Sequence, residues 1–283
     1  MAALVALRPL QWTKNLLLFA GIVFAAELGD GGRWLEAWAA FLAYCAASSA
    51  AYIANDLLDA QEDRLHPLKR LRPIPRGELP RESALALAAF LATLALVIAA
   101  ALGFGSLSLL AFFLAIQAAY SLRLKYVVLL DVMTIGALFV VRAAAGAVAV
   151  DVRISPWLLV CTALLALFLG LAKRRAELVL VDAEEAPGRP VLNGYSLELV
   201  DQLVSVVASS TVMAYSVYTF TARDSKAMMA TIPFVLFGVF RYLLLVHRRD
   251  LGEEPERVLL SDAPILVSVA AWGATSALIL AFT

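Results

Sequence analysis

Nine apolar stretches recur along the 283-residue chain, each close to the length that crosses a bilayer as a helix. The hydrocarbon core of a membrane is spanned by about 20 apolar helical residues. With that window, the predicted spans are residues 12–28, 36–55, 84–103, 106–122, 127–150, 156–172, 199–221, 228–246 and 262–282. The pattern predicts an all-α, polytopic membrane protein with about nine transmembrane helices.

The composition agrees with this class and excludes others. Hydrophobic residues make up 62% of the chain and charged residues 16%, whereas soluble domains are about half apolar and a quarter charged. A soluble globular protein and a disordered chain are therefore excluded. The two cysteines form no CxxC pair, so neither a disulfide nor a structural metal is indicated. Lys plus Arg equals Asp plus Glu at 23 each, and we expect no nucleic-acid partner.

The distribution of basic residues predicts the orientation in the membrane. With the predicted spans, seventeen of the 23 Lys and Arg residues lie on the same side as the N-terminus and four on the other side. The remaining two, Arg142 and Arg241, lie within spans. Because cytoplasmic loops carry the excess of positive charge, we expect a multi-pass protein of the cell membrane with a cytoplasmic N-terminus. The two longest polar segments, 56–82 and 173–198, are on that side, so the active site is predicted there too.

An acidic stripe follows the second predicted span. If the helix continues, Asp56, Asp59 and Asp63 lie at positions i, i+3 and i+7 on one face, with Asn55 beside Asp59. Three carboxylates on one face repel each other, and a hard cation with oxygen ligands would offset them. Mg²⁺ is the usual choice where a ligand supplies phosphate oxygens. The alternative is a solvated helix end.

A basic, proline-rich loop comes directly after this stripe. It contains Lys69, Arg70 and Arg72, and its prolines prevent it from continuing as a helix. Cations on a stiff loop suit phosphate oxygens, and arginine offers a forked pair of donors. An acidic stripe followed by a basic loop is the arrangement expected for a metal-bound diphosphate. Alternatively, the loop is only the positive-inside signal.

The chain resembles the UbiA superfamily of intramembrane prenyltransferases. The string Asn55-Asp56-x-x-Asp59-x-x-x-Asp63 matches the first aspartate motif of that family, and the resemblance covers essentially the whole chain. It implies one transmembrane transferase domain over residues 1–283, with a central cavity open to the cytoplasm and loops 56–82 and 173–198 capping the site. It also implies that Asp56, Asp59 and Asp63 hold Mg²⁺ and act in catalysis.

Within the superfamily, the chain is most similar to the branch of decaprenyl-phosphate phosphoribosyltransferases. The motifs that carry this similarity are Arg8-Pro9-Leu10-Gln11-Trp12-Thr13-Lys14-Asn15, Asp63-Arg64-Leu65-His66-Pro67, Lys69-Arg70-Leu71-Arg72-Pro73-Ile74, Tyr120-Ser121-Leu122 with Leu124-Lys125 and Asp131-Val132, Lys173-Arg174-Arg175-Ala176-Glu177-Leu178, and Tyr195-Ser196. That branch joins 5-phosphoribosyl 1-diphosphate to a polyprenyl phosphate and releases diphosphate. The product is a precursor for cell-wall arabinan. The resemblance also allows a homo-oligomer.

One departure from the aromatic prenyltransferases supports this branch. Those enzymes carry a second aspartate motif, D-x-x-x-D, after the sixth span, where this chain has Lys173-Arg174-Arg175-Ala176-Glu177. We expect a second phosphate-binding patch with one carboxylate there. The full predicted substrate-binding set is Lys14, Asn55, Lys69, Arg70, Arg72, Tyr120, Lys125, Asp131, Arg142, Lys173, Arg174, Glu177 and Tyr195. So many cations suit three phosphate-bearing groups better than one.

Arg142 is a charge in the middle of a predicted span, where charges are costly and usually face a cavity or a partner. It is eleven positions from Asp131, which places both on nearly the same helix face together with Gly146. We expect this face to line the cavity, and the alternative is a structural pair with another helix. Glu177 has a similar pair of interpretations, as a ligand of the ribose or as a helix ion pair with Lys173.

Two other functions remain open from the sequence. A prenyltransferase of the same fold would attach a chain from a prenyl diphosphate to an aromatic or other small acceptor. A secondary transporter would show inverted repeats and broken helices, and the chain has no convincing internal repeat.

Overall fold

The structure is a computed structural model that describes residues 2–24, 29–65, 69–153, 155–182, 190–221, 226–249, 258 and 261–282. Every regular element in these ranges is helical, and none of the described residues forms a β-strand. The predicted all-α class is confirmed. The chain divides into two compact units, residues 1–154 and 155–283.

Seven α-helices and three 3₁₀ segments lie in the described part of the first unit. The helices are α1 (Ala2–Ala6), α2 (Ala20–Phe24), α3 (Gly31–Leu58), α4 (Ala60–Leu65), α5 (Arg81–Ala101), α6 (Phe104–Leu122) and α7 (Leu130–Ala149). The 3₁₀ segments are Pro9–Phe19, Lys69–Leu71 and Leu124–Tyr126. Helix α3 begins at Asp30, whose carboxylate accepts hydrogen bonds from the backbone amides of Gly32 and Arg33.

Small residues bring α3 and α5 together. The buried positions of the two helices are mostly alanine, and they recur at helical spacing: Ala37, Ala40, Ala43, Ala47 and Ala50 in α3, and Ala84, Ala88, Ala95 and Ala99 in α5. Alanine lets membrane helices approach closely, so that dispersion contacts between backbones replace the missing hydrophobic effect. The core of this unit therefore depends on close helix approach rather than on large side chains.

The N-terminal segment lies against α3 and α7 and differs from the predicted α-helical span over residues 12–28. It is a 3₁₀ helix over Pro9–Phe19, followed by the short α2, and residues 25–28 are outside the described ranges. Gly146 of α7 makes the contact possible, since a Cβ atom there would lie 2.0 Å from the Leu18 carbonyl oxygen. A Cβ atom on Gly21 would lie 2.8 Å from Cα of Ala147. The two backbones thus cross with no room for a side chain at either glycine.

Four α-helices lie in the described residues of the second unit: α8 (Pro156–Asp182), α9 (Leu197–Thr221), α10 (Ile232–Arg249) and α11 (Ala263–Phe282). Helix α8 packs on α9, and α10 packs on α11. An ion pair at 2.9 Å joins Arg241 of α10 to Asp262, just before α11. Short 3₁₀ segments, Pro190–Gly194 and Lys226–Thr231, precede α9 and α10.

Seven of the described helices are long and apolar enough to cross a membrane, and the chain is an integral membrane protein. They cover Gly31–Leu58, Arg81–Ala101, Phe104–Leu122, Leu130–Ala149, Pro156–Val181, Leu197–Thr221 and Lys226–Arg248. The apolar part of α11, Ala263–Ile279, is shorter than any of these seven. The N-terminal segment is mainly 3₁₀ and is not among them. The predicted number of nine spans is therefore not confirmed.

Candidate active site

The three aspartates of the predicted stripe lie around the junction of α3 and α4. The predicted stripe is conditional on the helix continuing; α3 ends at Leu58, and Asp59, with φ of −90° and ψ of 6°, precedes α4. The hydrogen-bond ladder nevertheless continues across the break, from the Asp59 amide to the Asn55 carbonyl at 2.9 Å and from the Asp63 amide to the Asp59 carbonyl at 2.8 Å. Asp56 and Asp63 therefore stay on one side of the bend, and both are buried.

Arg72 connects two of these aspartates. Its Nη1 atom donates to Oδ2 of Asp63 at 2.6 Å and to Oδ1 of Asp56 at 3.2 Å. Because one nitrogen atom contacts both carboxylates, they must lie close together. The structure thus places a cation of the basic loop directly on the acidic stripe, as the sequence order of the two features indicated.

Lys125 pairs with the third aspartate. Its ammonium group donates to Oδ1 of Asp59 at 2.6 Å and to Oδ1 of Asn55 at 3.4 Å. The Asn55 side chain also donates to Oδ2 of Asp59 at 3.0 Å, which agrees with their predicted adjacency. Lys125 is itself buried, in the 3₁₀ turn between α6 and α7. Asp59 is therefore held by groups from two distant parts of the first unit.

Arg8 is the site residue that the sequence analysis missed. Its Nη2 atom lies 2.6 Å and 2.8 Å from the two carboxylate oxygens of Asp56. The two residues are 48 positions apart, and no spacing rule connects them. The available signal was the position of Arg8 at the start of the motif that continues to Lys14 and Asn15.

The backbone of Arg8 is held in an unusual conformation. Its φ of 52° is left-handed, which costs a non-glycine residue about 1–2 kcal/mol. The guanidinium group also lies 5.0 Å from the ring centroid of Tyr52. Nearby, Trp12 donates to the Ser49 hydroxyl at 3.0 Å, and that hydroxyl donates to the Leu7 carbonyl at 2.9 Å. These contacts with α3 fix the turn that points Arg8 at Asp56.

Three carboxylates and three cations thus form one charged cluster in the first unit. We call the set of Arg8, Asp56, Asp59, Asp63, Arg72 and Lys125 the charged cluster. A buried, unpaired carboxylate would cost several kcal/mol, and the three cations offset part of that cost. Each cation comes from a different segment: the N-terminal turn, the basic loop and the α6–α7 link.

The donor chemistry of the cluster suits a hard cation, since all three aspartates offer carboxylate oxygens only. In the side-chain arrangement seen here, however, no three His, Cys, Asp or Glu residues in the described ranges form a group that could hold a metal ion. Arg8, Arg72 and Lys125 contact carboxylate oxygens that a metal ion would need as ligands. The metal assignment therefore stays a prediction.

Other predicted residues of the first unit occupy varied positions. Lys14 and Lys69 are partly buried, Arg70 is exposed, and Tyr120 is partly buried near the end of α6. Asp131 is fully buried in the first turn of α7. None of these five has a described contact with the three aspartates, and their substrate-binding roles stay predictions.

Arg142 is buried against the N-terminal segment. Its Nε atom donates to Oδ1 of Asn15 at 2.8 Å, and its Nη1 atom donates to the Leu138 carbonyl at 3.0 Å. The guanidinium carbon lies 4.7 Å from the Phe113 ring centroid. The α7 face with Arg142 and Gly146 therefore packs on the segment 9–24. This is the pairing with a neighbouring element that the sequence left as the alternative; a contact of Arg142 with substrate stays a prediction.

In the second unit, the predicted phosphate patch lies near the end of α8. Arg174 is almost fully buried and forms an ion pair with Glu177, one turn along the helix. The described partner of Glu177 is thus Arg174, where the sequence suggested Lys173, which is partly buried. Tyr195 is buried after the Pro190–Gly194 turn. Parts of both predicted cap loops lie outside the described ranges. These are residues 183–189 of one loop and residues 66–68, which include His66 and Pro67, of the other.

Comparison with known proteins decides the family. The model of the UbiA prenyltransferase family matches residues 16–262. The chain belongs to the UbiA prenyltransferase family. The resemblance stated from the sequence motifs is confirmed.

Curated members of the UbiA family resemble the whole chain. A protein of Mycolicibacterium smegmatis named decaprenyl-phosphate phosphoribosyltransferase is 34% identical, and the match covers 94% of this chain and 88% of that protein. A protein of the same name from Mycobacterium tuberculosis is 32% identical, with 98% and 93% covered.

The fold agrees with solved UbiA structures. A UbiA homolog from Archaeoglobus fulgidus, bound to GPP and Mg²⁺, superposes with a TM-score of 0.76 over 100% of both chains at 19% identity. At that identity, the likeness shows the fold alone.

Proposed function

We propose that the protein is a membrane phosphoribosyltransferase that moves 5-phosphoribose from phosphoribosyl diphosphate to a polyprenyl phosphate and releases diphosphate. The observation that carries the proposal is the charged cluster, in which three separate segments bring a cation to one acidic stripe. The names of the relatives, similar over nearly the whole chain, support the same reaction. By the resemblance, the product feeds cell-wall arabinan synthesis.

The cations of the cluster are suited to the diphosphate of the donor. Arg8 and Arg72 each offer a planar fork of donors that matches phosphate oxygens, and Lys125 adds a compact point charge. In the arrangement seen here, these groups neutralise the aspartates. On substrate binding they would transfer their hydrogen bonds to the phosphates, and the carboxylates released in this way would be available to hold a divalent cation.

The proposed metal ligands are Asp56, Asp59 and Asp63, with Mg²⁺ as the cation. When bound, it would neutralise the charge that develops on the leaving diphosphate. Asp56 and Asp63 are close enough for one Arg72 nitrogen to contact both carboxylates. Because their negative charges repel each other, this position favours a bound cation. Asn55 fixes the orientation of Asp59 through its side-chain amide.

The reaction is a displacement at C1 of the ribose. The attacking group is a phosphate oxygen of the lipid, which is largely anionic at neutral pH because the second pKa of a phosphate monoester is near 6. A strong general base is therefore unnecessary, and the protein acts by positioning and by charge stabilisation. We assign Lys14, Lys69, Arg70, Lys173 and Arg174 to substrate phosphates, and Tyr120, Asp131, Glu177 and Tyr195 to other substrate contacts.

The charge distribution supports a cytoplasmic position for the charged cluster. Lys and Arg residues are concentrated in the connections on its side of the membrane, which is typical of cytoplasmic loops. A water-soluble sugar diphosphate would reach the cluster from that side, and the lipid substrate would reach it from the bilayer. The protein would then carry both the N-terminus and the site on the cytoplasmic face of the cell membrane.

The direct test is incubation of membranes carrying the protein with phosphoribosyl diphosphate, a polyprenyl phosphate and Mg²⁺. Thin-layer analysis should show a new phosphoribosylated lipid that is absent with a chelator. Asp56→Asn and Asp59→Asn should reduce product formation at least about 100-fold, by analogy with the loss of a preorganised transition-state contact. Arg33→Gln, at the start of α3, is the control.

A parallel incubation with a prenyl diphosphate and an aromatic acceptor tests the alternative reaction. Release of diphosphate from the prenyl donor, with none from phosphoribosyl diphosphate, would contradict the proposal. Full turnover by the two asparagine variants would remove the charged cluster from the mechanism.

A further inference from the structure

A cavity of about 490 Å³ lies in the first unit, between the α3–α4 junction, the basic loop and the start of α5. Its walls include Leu57, Leu58, Ile74 and Leu79, and Leu58 is 57% exposed. Two arginines, Arg64 and Arg81, also line it. The cavity thus combines an aliphatic wall with two positive charges.

Both arginines lack a carboxylate partner among the described residues. Arg64 donates from Nε to the Pro75 carbonyl at 3.2 Å, and Arg81 begins α5 without a described ion pair. Arg8 and Arg72, in the same unit, are each within 3.2 Å of an aspartate. Among the described residues that line the cavity, the two arginines are the charged ones, so the lining is net positive.

The cavity is separate from the charged cluster. At about 100° per residue, Gln61 and Arg64 lie roughly 160° and 100° around α4 from Asp63. Asp63 accepts a hydrogen bond from Arg72, and Asp59 accepts one from Lys125. Neither of these cations lines the cavity. The α3–α4 junction thus has an acidic face toward the cluster and a mixed apolar and basic face toward the cavity.

The position of the cavity is that of a membrane–water interface. It lies where α3, a spanning helix, ends and α5, another spanning helix, begins. A ligand there has its polar end at the level of the lipid headgroups and its apolar end along the ends of two transmembrane helices.

We propose that this cavity binds an anionic phospholipid of the surrounding bilayer. The phosphate group accepts hydrogen bonds from Arg64 and Arg81, and an acyl chain covers the wall formed by Leu57, Leu58 and Leu79. Charge complementarity selects an anion, and the aliphatic wall selects an amphiphile over free phosphate. The inference does not depend on the reaction proposed above.

The bound lipid has a structural consequence. It connects α3 and α4 to the segment 74–80, which directly follows Arg72 in the chain. Lipid binding would therefore reduce the freedom of the loop that carries Arg72 to the aspartates.

The test compares lipid binding to the full chain in nanodiscs or detergent, with phosphatidylglycerol as the anionic probe and phosphatidylcholine as the neutral one. Native mass spectrometry should show phosphatidylglycerol retained by the unmodified protein. Each of Arg64→Gln and Arg81→Gln should weaken its retention about fivefold, and the double variant about 25-fold, since an arginine near a lipid headgroup contributes about 1 kcal/mol. Arg64→Lys/Arg81→Lys should restore most of it.

The matched control removes two charges outside the cavity, as Arg76→Gln/Arg123→Gln, and should retain the lipid. In the unmodified protein, amide hydrogen exchange over residues 74–79 should slow in phosphatidylglycerol relative to phosphatidylcholine. Equal loss in the control and in the double glutamine variant would overturn the proposal. So would equal retention of the two lipids, displacement by inorganic phosphate alone, or a polyprenyl phosphate as the only lipid retained.

Discussion

At the scale of single residues, the charged cluster is neutral in the structure seen here. Each aspartate has its own cation, and Arg72 serves two of them. The same cations are the groups that the proposed reaction needs for its phosphates. Binding of metal and of diphosphate should therefore be linked, because each makes the other's ligands available.

Arg8→Gln tests this linkage. Removal of the guanidinium frees Oδ2 of Asp56 and leaves Oδ1 with Arg72 as its described partner, but it also deletes a donor for the phosphates. A hydrogen bond to a charged group contributes about 1.5–3 kcal/mol, so inorganic diphosphate should bind about 10–100-fold more weakly. Mn²⁺ alone, followed by electron paramagnetic resonance, should bind more tightly than to the unmodified protein.

Arg33→Gln provides the control for both titrations and should change neither. The proposed transfer of the cations from the carboxylates to the phosphates would be wrong if Arg8→Gln left the affinity for diphosphate unchanged. It would also be wrong if Arg8→Gln weakened Mn²⁺ binding in the absence of diphosphate.

The part of the site that could be predicted consists of residues close together in the sequence. Asp56, Asp59, Asn55 and Arg72 lie within one short segment, where helical spacing and loop composition carry the signal. Arg8 and Lys125 reach the same aspartates from 48 and 66 positions away. Their pairing depends on tertiary packing, which no local pattern records; only the resemblance pointed to Lys125.

At the scale of elements, the N-terminal segment is the least predictable part of the described fold. Its apolar composition indicated a spanning α-helix, and it is instead mostly 3₁₀. The backbone contact at Gly146 and the hydrogen bond between Asn15 and Arg142 explain how tertiary contacts override local preference. At the break in the helix, Lys125 and Asn55 both donate hydrogen bonds to the Asp59 carboxylate.

Gly146→Ala should separate the N-terminal segment from α7. The new methyl group would lie 2.0 Å from the Leu18 carbonyl oxygen, so one backbone must move. Overpacking of this kind costs about 1–3 kcal/mol, and the thermal unfolding midpoint of the purified protein should fall. Diphosphate affinity should fall as well, since Arg8 belongs to the displaced segment.

Gly238→Ala in α10 is the comparison, because a Cβ atom there has no neighbour within 4 Å. It should leave the unfolding midpoint equal or slightly higher, as alanine favours the helix. An unchanged midpoint in Gly146→Ala would mean that the close crossing does not exist in solution.

At the scale of the whole molecule, composition and periodicity predict the class well. Helix positions follow from the length of apolar runs, and the predicted spans from 36–55 to 228–246 each overlap a helix long enough to cross the membrane. The exact count does not follow, because the first apolar run is mainly 3₁₀ and the apolar part of the last helix, Ala263–Ile279, is shorter than the other spans. The single transferase domain with two capping loops also stays a prediction.

The predicted orientation can be measured with single cysteines. In a chain with Cys45 and Cys161 replaced, Arg70→Cys should react with a membrane-impermeant maleimide only in inside-out vesicles. Gly29→Cys, at the other end of α3, should react only in intact cells. Both positions are exposed, so burial does not limit the reaction. Labelling in the opposite pattern would place the charged cluster on the outer face.

The 3₁₀ form of the N-terminal segment also sets its reach. At about 2.0 Å per residue, the 11 residues of Pro9–Phe19 extend about 22 Å, and an α-helix of the same residues would extend about 16 Å. The stretched form lets one short stretch of chain place Asn15 beside Arg142 and still deliver Arg8 to Asp56. Conversion to an α-helix would shorten the segment by roughly a quarter and move Arg8 away from Asp56. The 3₁₀ geometry of this segment therefore sets the distance that it spans between the middle of α7 and the acidic stripe.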